Sequence, residues 1–368
     1  MAQLGVLLPY MANSLEVSLG QISFLFTAAS LGYMTGSTGG GRLYDHFKGH
    51  HLMIFGLFLM VLMGIIIPLI PWFYLLLPVI FIYGIGQGMV DIGGNVNLLW
   101  IFQERTGPFM NALHFSFGFG AFLSPIIIAK TLELTNGALT WTYWILAVLY
   151  LPGIVALCLL KSPENPESGS DDQEDQPINY RLVILITVLF LLYVGVEVGF
   201  SGWIFTYATD LNIVNETKGS LITAIFWGAL TIGRLVSIFL AKKIKSASLL
   251  MGNFVLAILF LGVLLIWPKQ SLALWIGSAG LGLSLSSIFP TLMSLAETRM
   301  KITGKVTGMF FLGTSMAGII IPTILGQIYE YIGSYELILS IFIEAFLGFL
   351  FLILVIFSSN RTGEKTRV

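Results

Sequence analysis

The chain has 368 residues, of which 56% are hydrophobic and 10% charged, and its formal net charge is −1. Soluble domains carry about 25% charged residues, so this composition, with a mean hydropathy of +0.90, excludes a soluble enzyme and a disordered chain. The near-zero net charge gives no field for nucleic acid, and the single cysteine, Cys158, excludes an internal disulfide. The composition therefore indicates an all-α integral membrane protein, because long apolar blocks and not short alternating segments fill the chain.

Long apolar blocks predict eleven full membrane spans, since about 20 apolar residues cross a bilayer as a helix. We expect them at 21–40, 52–70, 72–102, 112–132, 139–160, 182–208, 220–240, 248–267, 272–296, 306–328 and 335–357. An apolar piece at 4–12 precedes them and is too short to cross alone. It also lacks the basic region and cleavage site of a signal peptide.

A hydrophilic segment at 161–181, KSPENPESGSDDQEDQPINYR, separates the fifth and sixth of these full spans. It has too few apolar residues to order itself and is typical of a solvated linker. Counting the piece at 4–12 as an incomplete first span, the sequence predicts an N-terminal bundle of spans 1–6 at 1–161 and a C-terminal bundle of spans 7–12 at 181–358. An acidic cytoplasmic linker, 162–180, joins them, and a cytoplasmic tail, 359–368, follows.

The basic residues predict the orientation, because Lys and Arg accumulate in short cytoplasmic loops. With the linker in the cytoplasm, 14 of the 18 basic residues lie inside and three outside, while Arg234 lies within a span. We therefore expect a multi-pass plasma-membrane protein with cytoplasmic termini if the first span is complete. Short loops and tails favour a bacterial inner membrane.

An internal repeat relates the two halves of the chain. A shift of 196 positions superposes four glycine pairs, and a shift of 197 places Thr106-Gly107 on Thr303-Gly304. The glycine pairs are Gly32 with Gly228, Gly56 with Gly252, Gly84 with Gly280 and Gly86 with Gly282. A constant offset of this kind predicts two pseudo-symmetric six-helix bundles. Because the offset aligns residue 1 with Glu197, we expect the first helix to be truncated, through a start codon assigned too far downstream or a shortened form.

The loop GRLYDHFKGH at 41–50 resembles the signature of the major facilitator superfamily, Gly-x-Leu-x-Asp-Arg-x-Gly-Arg. The aspartate matches, His46 replaces the arginine, and the second glycine comes one residue late. Four further stretches resemble the fucose permease and sodium-dependent glucose transporter-like branch: GMVDIGGNVNLLW at 88–100, NALHFSFGFGAFLSP at 111–125, FWGALTIGRL at 226–235 and SSIFPTLMSLAE at 286–297. The resemblance implies two six-helix bundles, alternating access and a sugar-like substrate taken up with a coupling cation.

Polar residues at helical spacing in the fourth span predict a substrate site. Gln87, Asp91 and Asn95 recur at i, i+4 and i+8 and share one face, with Gly84 and Gly88 on that face leaving room beside them. Amide and carboxylate oxygens bond sugar hydroxyls, and Asp91 could also hold a proton or Na⁺. The alternative is that these side chains only tie helices together.

The fifth and seventh spans carry similar faces. Asn111 and His114 begin the fifth-span face and are predicted substrate contacts, although His114 could be only a wetted histidine near the cytoplasmic end. In the seventh span Tyr193, Glu197 and Ser201 follow at i+4 steps. Glu197 is predicted to bind the coupling cation or to pair with Arg234, and Ser201 to contact substrate.

The remaining candidates belong to the eighth span and the cytoplasmic side. Trp227 and Thr231 share a stripe with Arg234, and we predict substrate contacts for the first two and a gate or structural ion pair for the arginine. Arg42 and Asp45 are predicted to hold a cytoplasmic gate through a charge-assisted bond.

Glu344, in the last span, has no obvious intramembrane partner and receives no role. The sequence shows no metal-ligand spacing, so no metal and no cofactor beyond H⁺ or Na⁺ is expected.

The pattern as a whole predicts a secondary active transporter, not an enzyme, that takes up a monosaccharide or similar small polar solute with H⁺ or Na⁺. The solute would bind between the two halves, and the protein would work as a monomer in the lipid bilayer. Two alternatives remain open: proton-driven efflux of drugs or metabolites, which the 28 phenylalanines allow, and a non-transporting sensor on the same scaffold.

Overall fold

The computed structural model describes residues 2–44, 46–163, 179–300 and 302–360. Apart from its ends, the predicted linker at 162–180 lies outside the described residues, as does nearly all of the predicted tail at 359–368. The described residues form helices and no strand. In chain order the helices are α1 (Ala2–Leu15), α2 (Leu19–Ile22), α3 (Phe24–Tyr44), α4 (Gly49–Ile66), α5 (Phe73–Phe102), α6 (Thr106–Leu134), α7 (Leu139–Val148), α8 (Leu151–Leu159), α9 (Tyr180–Asp210), α10 (Glu216–Ala241), α11 (Ser246–Ile266), α12 (Ser271–Leu285), α13 (Ile288–Glu297), α14 (Gly304–Tyr331) and α15 (Ser334–Asn360).

Polar side chains define where several of the long helices begin. The Asn179 side chain accepts a hydrogen bond from the amide of Leu182 at the start of α9, and Asn215 accepts one from Lys218 at the start of α10, 3.0 Å away. Such caps satisfy amides that have no partner within the helix. The breaks in the apolar sequence between spans are thus marked by residues that stabilise helix ends.

Ten segments of the described chain are long and apolar enough to cross a membrane. They are Gly49–Leu69, Phe73–Phe102, Thr106–Leu134, Leu139–Leu159, Tyr180–Asp210, Glu216–Ala241, Ser246–Ile266, Ser271–Glu297, Lys305–Tyr331 and Ser334–Ser358. They match ten of the eleven predicted spans. The protein is therefore a multi-pass, all-α membrane protein.

The predicted span at 21–40 is the exception to this agreement. The chain breaks at Ser23, whose hydroxyl donates to the carbonyl of Gly20 at 2.6 Å, and the helix that follows, α3, is rich in Gly, Ser and Thr. Those small residues lower its apolarity below that of the other ten. They also let α3 approach a neighbouring helix closely, since a methyl added at Gly32 or Gly36 would overlap backbone carbonyls of α5.

The described residues form two compact units. The described residues of the N unit fall within Leu7–Phe117 and Ile127–Glu174, and those of the C unit fall within Met1–Val6, Gly118–Ile126 and Asp175–Val368. The domain limits expected at 161 and 181 remain a prediction.

The same neighbours recur within each unit. In the N unit α5 packs against both α3 and α4, and in the C unit α12 packs against both α10 and α11. The shift of 196 positions pairs these helices in the same order, so the glycine repeat corresponds to a repeated packing arrangement.

Aromatic side chains connect α9 to α14 inside the C unit through a hydrogen bond and ring stacking. Trp203, fully buried, donates its indole N–H to the carbonyl of Pro322 at 2.8 Å and stacks on Tyr329 with ring centroids 5.8 Å apart. The Tyr329 hydroxyl in turn donates to Asp210 Oδ2 at 2.6 Å. Buried indole and phenol groups need such partners, so these bonds fix the register of the two helices.

Candidate substrate and cation site

Asp91, half-buried in the middle of α5, is held by a tyrosine of another helix. The hydroxyl of Tyr33 on α3 donates a hydrogen bond to Asp91 Oδ2. A hydrogen bond to a carboxylate is stronger than one between neutral groups, and contributes about 1.5–3 kcal/mol. Tyr33 therefore stabilises an acid that would otherwise be costly within a membrane-spanning helix.

Glycines bring Tyr33 and Asp91 together. A methyl at Gly84 would lie 3.0 Å from the amide nitrogen of Tyr33, and one at Gly88 would overlap the Tyr33 carbonyl oxygen. The sequence-based interpretation that these glycines leave room beside the polar face is wrong, because the backbone of α3 fills that space. Their role is to set the distance between the two helices.

The other members of the α5 face are more open. Gln87 is exposed and Asn95 is half-buried. The Asn95 amide donates to the backbone carbonyl of Asp91 at 2.9 Å, which leaves its side-chain oxygen as an acceptor. The three predicted residues thus line one face of α5, with amide and carboxylate groups next to each other.

Glu197, on α9 of the C unit, is bonded by a tyrosine, as Asp91 is by Tyr33. The hydroxyl of Tyr193, one helical turn earlier, donates to Glu197 Oε2 at 2.6 Å. The charge of Arg234, on α10, acts on the Tyr193 hydroxyl. In the described residues Glu197 and Arg234 form no direct ion pair, so both charges act on the same phenol.

The residues of the seventh and eighth spans that were predicted to contact substrate are buried where helices pack together. Ser201 is fully buried, its backbone carbonyl facing Gly5 of α1. Trp227 is 4% and Thr231 5% exposed, and the Thr231 hydroxyl donates to the Trp227 carbonyl at 2.7 Å. A Cβ at Gly118 of α6 would lie 3.1 Å from that of Thr231. The structure therefore places Thr231 against α6.

Three further candidates are solvent-accessible in the described chain. Asn111 and His114 of α6 are exposed, and so is Arg42 in the last turn of α3. Asp45, the predicted partner of Arg42, lies outside the described residues, so the proposed gate stays a prediction. No group of three His, Cys, Asp or Glu side chains in the described part of the chain could hold a metal ion.

Sequence reasoning singled out Asp91, Glu197 and Tyr193 but missed Tyr33. The signal for Tyr33 was indirect: it follows Gly32, one of the repeating glycines, and precedes Gly36 by one turn. A glycine stripe on each of α3 and α5 indicates close contact between them.

In the described chain, ten apolar segments of membrane-crossing length, with carboxylates inside two of them, define the class as a polytopic membrane protein. The sequence pattern of the Major Facilitator Superfamily matches residues 1–322. The chain belongs to that superfamily, and with it works as a transporter and not as an enzyme.

Several characterised relatives are similar over most of the chain. Sodium-dependent glucose transporter 1 of Xenopus laevis is 27% identical over 346 residues, which cover 86% of this chain and 70% of the relative. The Homo sapiens protein of the same name is 26% identical over 352 residues, covering 86% and 68%. Major facilitator superfamily domain-containing protein 4A of Mus musculus is 25% identical over 446 residues, covering 95% and 87%.

A solved structure shares the fold. The crystal structure of a point mutant of the nucleoside transporter NupG superposes with a TM-score of 0.77, covering 96% of this chain and 95% of the other at 13% identity. At that identity the likeness concerns the fold alone.

Proposed function

We propose that the protein is a secondary active transporter that couples uptake of a sugar-like small polar solute to entry of H⁺ or Na⁺. The observation that carries the proposal is the pair of tyrosine-held acids, Tyr33–Asp91 in the N unit and Tyr193–Glu197 in the C unit. Acids within membrane spans are expensive and therefore mark ion or substrate pathways. The relatives named sodium-dependent glucose transporters support a solute of sugar type.

The α5 face supplies the chemistry that a polyol requires. Gln87, Asp91 and Asn95 offer acceptors and donors side by side, matched to vicinal hydroxyl groups. Asp91 can exchange its bond from Tyr33 for one from a solute hydroxyl or for a cation. Coupling then follows because solute and cation alter the same carboxylate, and a ligand shifts a conformational equilibrium only by its differential affinity for the two states.

In the C unit, Glu197 serves as the second cation-binding candidate. Tyr193 bonds to Glu197 and is acted on by the charge of Arg234, so protonation or cation binding at Glu197 changes the electrostatic surroundings of Arg234. Arg234 thereby acts as the element that senses occupancy, in the gating role expected from the sequence. We place the protein in the plasma membrane, working as a monomer.

Uptake into proteoliposomes tests the proposal. Purified protein would be given radiolabelled hexoses, pentoses and polyols under an imposed pH gradient, an imposed Na⁺ gradient, or neither. We expect accumulation of at least one of these solutes above equilibrium with one of the two gradients. Equilibration without accumulation in all conditions, or no flux of any solute, would contradict it.

A further inference from the structure

Glu344 lies in the middle of α15, and the transport scheme above does not use it. Its side chain is 8% exposed, and its Oε1 has no hydrogen-bond partner among the described residues. In the same part of the chain it forms no ion pair. A carboxyl group in such surroundings needs a physical explanation, because buried charges are normally paired.

The carboxyl group of Glu344 occupies the space that a side chain at position 195 would fill. Gly195 of α9 faces it, and a Cβ built there would lie 2.7 Å from Glu344 Cδ and would overlap Oε1. Any side chain at position 195 would displace the acid. The contact of α9 with α15 is thus shaped around this carboxyl group.

No cation of the neighbouring helices faces Glu344. The helices packed against α15 are α9, α11 and α14. Helix α11 has no ionisable residue, and α14 has none between positions 306 and 328. On α9 the flanking ionisable groups are Tyr193 and Glu197, each two positions from Gly195. Two positions rotate by about 200° around a helix, so both point away from Glu344.

Apolar contacts continue on either side of the acid. One turn along α9, a Cβ at Gly199 would lie 2.6 Å from Leu325 and in contact with Ile341. One turn along α15, a Cβ at Gly348 would lie 2.5 Å from the ring of Phe254. Among the described residues, neither a counter-ion nor a hydrogen-bond donor contacts this carboxyl group.

We propose that Glu344 is a proton-binding site. It contacts α9 on the side opposite to Glu197. An ionised carboxylate without partner in a membrane-spanning helix costs several kcal/mol, so the carboxyl is the neutral acid in this conformation. Release of the proton breaks the O–H bond, leaves the electron pair on the carboxylate and passes the proton to water. That step requires α15 to separate from Gly195 far enough for water to enter. The inference concerns protonation alone and does not depend on the proposed function.

Infrared difference spectroscopy of the lipid-reconstituted protein tests the site directly. Wild type minus Glu344→Gln at neutral pH should show the carbonyl band of a protonated carboxylic acid, shifting slowly on transfer to D₂O because the site is buried. If the difference shows carboxylate bands instead, the proposal is overturned. Should the glutamine variant not fold, Glu344→Asp serves, since it moves the same band without removing it.

A matched pair of glycine variants tests the contact. Gly195→Ala should shift or abolish the acid band, because the added methyl displaces the carboxyl group. Gly262→Ala on α11, where nothing lies within 4 Å of the added Cβ, should leave the band unchanged. An unaltered band in Gly195→Ala would refute the role given to this contact. Because neither measurement requires transport, a failure here is distinguishable from a failure of the transport proposal.

Discussion

The hydroxyl of Tyr33 on α3 donates a hydrogen bond to Asp91 on α5, across 58 positions of sequence. This bond gives the α5 polar face a defined starting state. In the proposed function, a solute or cation competes with this phenol for the carboxylate, so the pair sets how tightly Asp91 would bind either ligand.

Removing this phenol should alter the kinetics of transport. Tyr33→Phe leaves Asp91 without its donor, and a hydrogen bond to a charged group contributes about 1.5–3 kcal/mol. We expect solute uptake efficiency, kcat/KM, to change by about ten- to a hundredfold, with a shifted pH or Na⁺ dependence. Tyr74→Phe on α5, the helix of Asp91, at a side chain 77% exposed, is the control. Equal uptake kinetics in Tyr33→Phe and wild type would show that Tyr33 has no role in the site.

The glycine contact between α3 and α5 should be intolerant of a methyl group. Gly88→Ala forces the added Cβ against the Tyr33 carbonyl, and overpacking of this kind costs about 1–3 kcal/mol. Thermal unfolding in detergent should therefore occur at lower temperature. Gly39→Ala on α3, with nothing within 4 Å, should be neutral or slightly stabilising because alanine favours helix. Similar melting temperatures for the two variants would argue against close packing here.

Tyr193 and Glu197 should be energetically coupled. Tyr193→Phe removes the donor and Glu197→Gln removes the charge of the acceptor in the same bond, so the double variant should lose less stability than the sum of the singles, by about 1 kcal/mol. A double-mutant cycle of unfolding free energies measures this. Tyr193→Phe combined with Glu216→Gln, an exposed acid in the first turn of α10, should be additive. Additivity in both cycles would show that the Tyr193–Glu197 bond contributes nothing.

The indole bond between α9 and α14 should matter for stability. Trp203→Phe removes the buried hydrogen bond from the indole to the Pro322 carbonyl, and a hydrogen bond of this kind contributes about 0.5–1.5 kcal/mol. The melting temperature should fall accordingly. Trp72→Phe, at a side chain 69% exposed, should have little effect. A Trp203→Phe protein as stable as Trp72→Phe would mean that the register of α9 and α14 is fixed by other contacts.

Hydropathy was sufficient to locate most of the membrane helices, because a membrane selects for length and apolarity more than for sequence detail. The segment predicted at 21–40 forms the helix α3, which is less apolar than the ten segments for a physical reason. In α3 close approach to α5 matters more than apolar surface, so Gly, Ser and Thr take the places of larger side chains. The break at Ser23 depends on a local hydroxyl–carbonyl bond that apolar blocks do not reveal.

The candidate site was predictable where its contacts are local. Tyr193 and Glu197 are four positions apart on one helix, and such residues are neighbours by geometry alone. The link from Tyr33 to Asp91 depends on the register between α3 and α5, which only tertiary packing sets. The carboxyl group of Glu344 against Gly195 is a contact of the same kind, since α9 and α15 are distant in sequence.

The central claim is that Asp91 and Glu197 couple solute movement to a cation. The most direct measurement compares gradient-driven accumulation with counterflow exchange in proteoliposomes containing wild type, Asp91→Asn or Glu197→Gln protein. Counterflow needs solute binding and the conformational change but no cation gradient, so at least one variant should lose accumulation by a far larger factor than counterflow. If both variants accumulate solute as wild type does, these acids do not couple transport, and the account is contradicted.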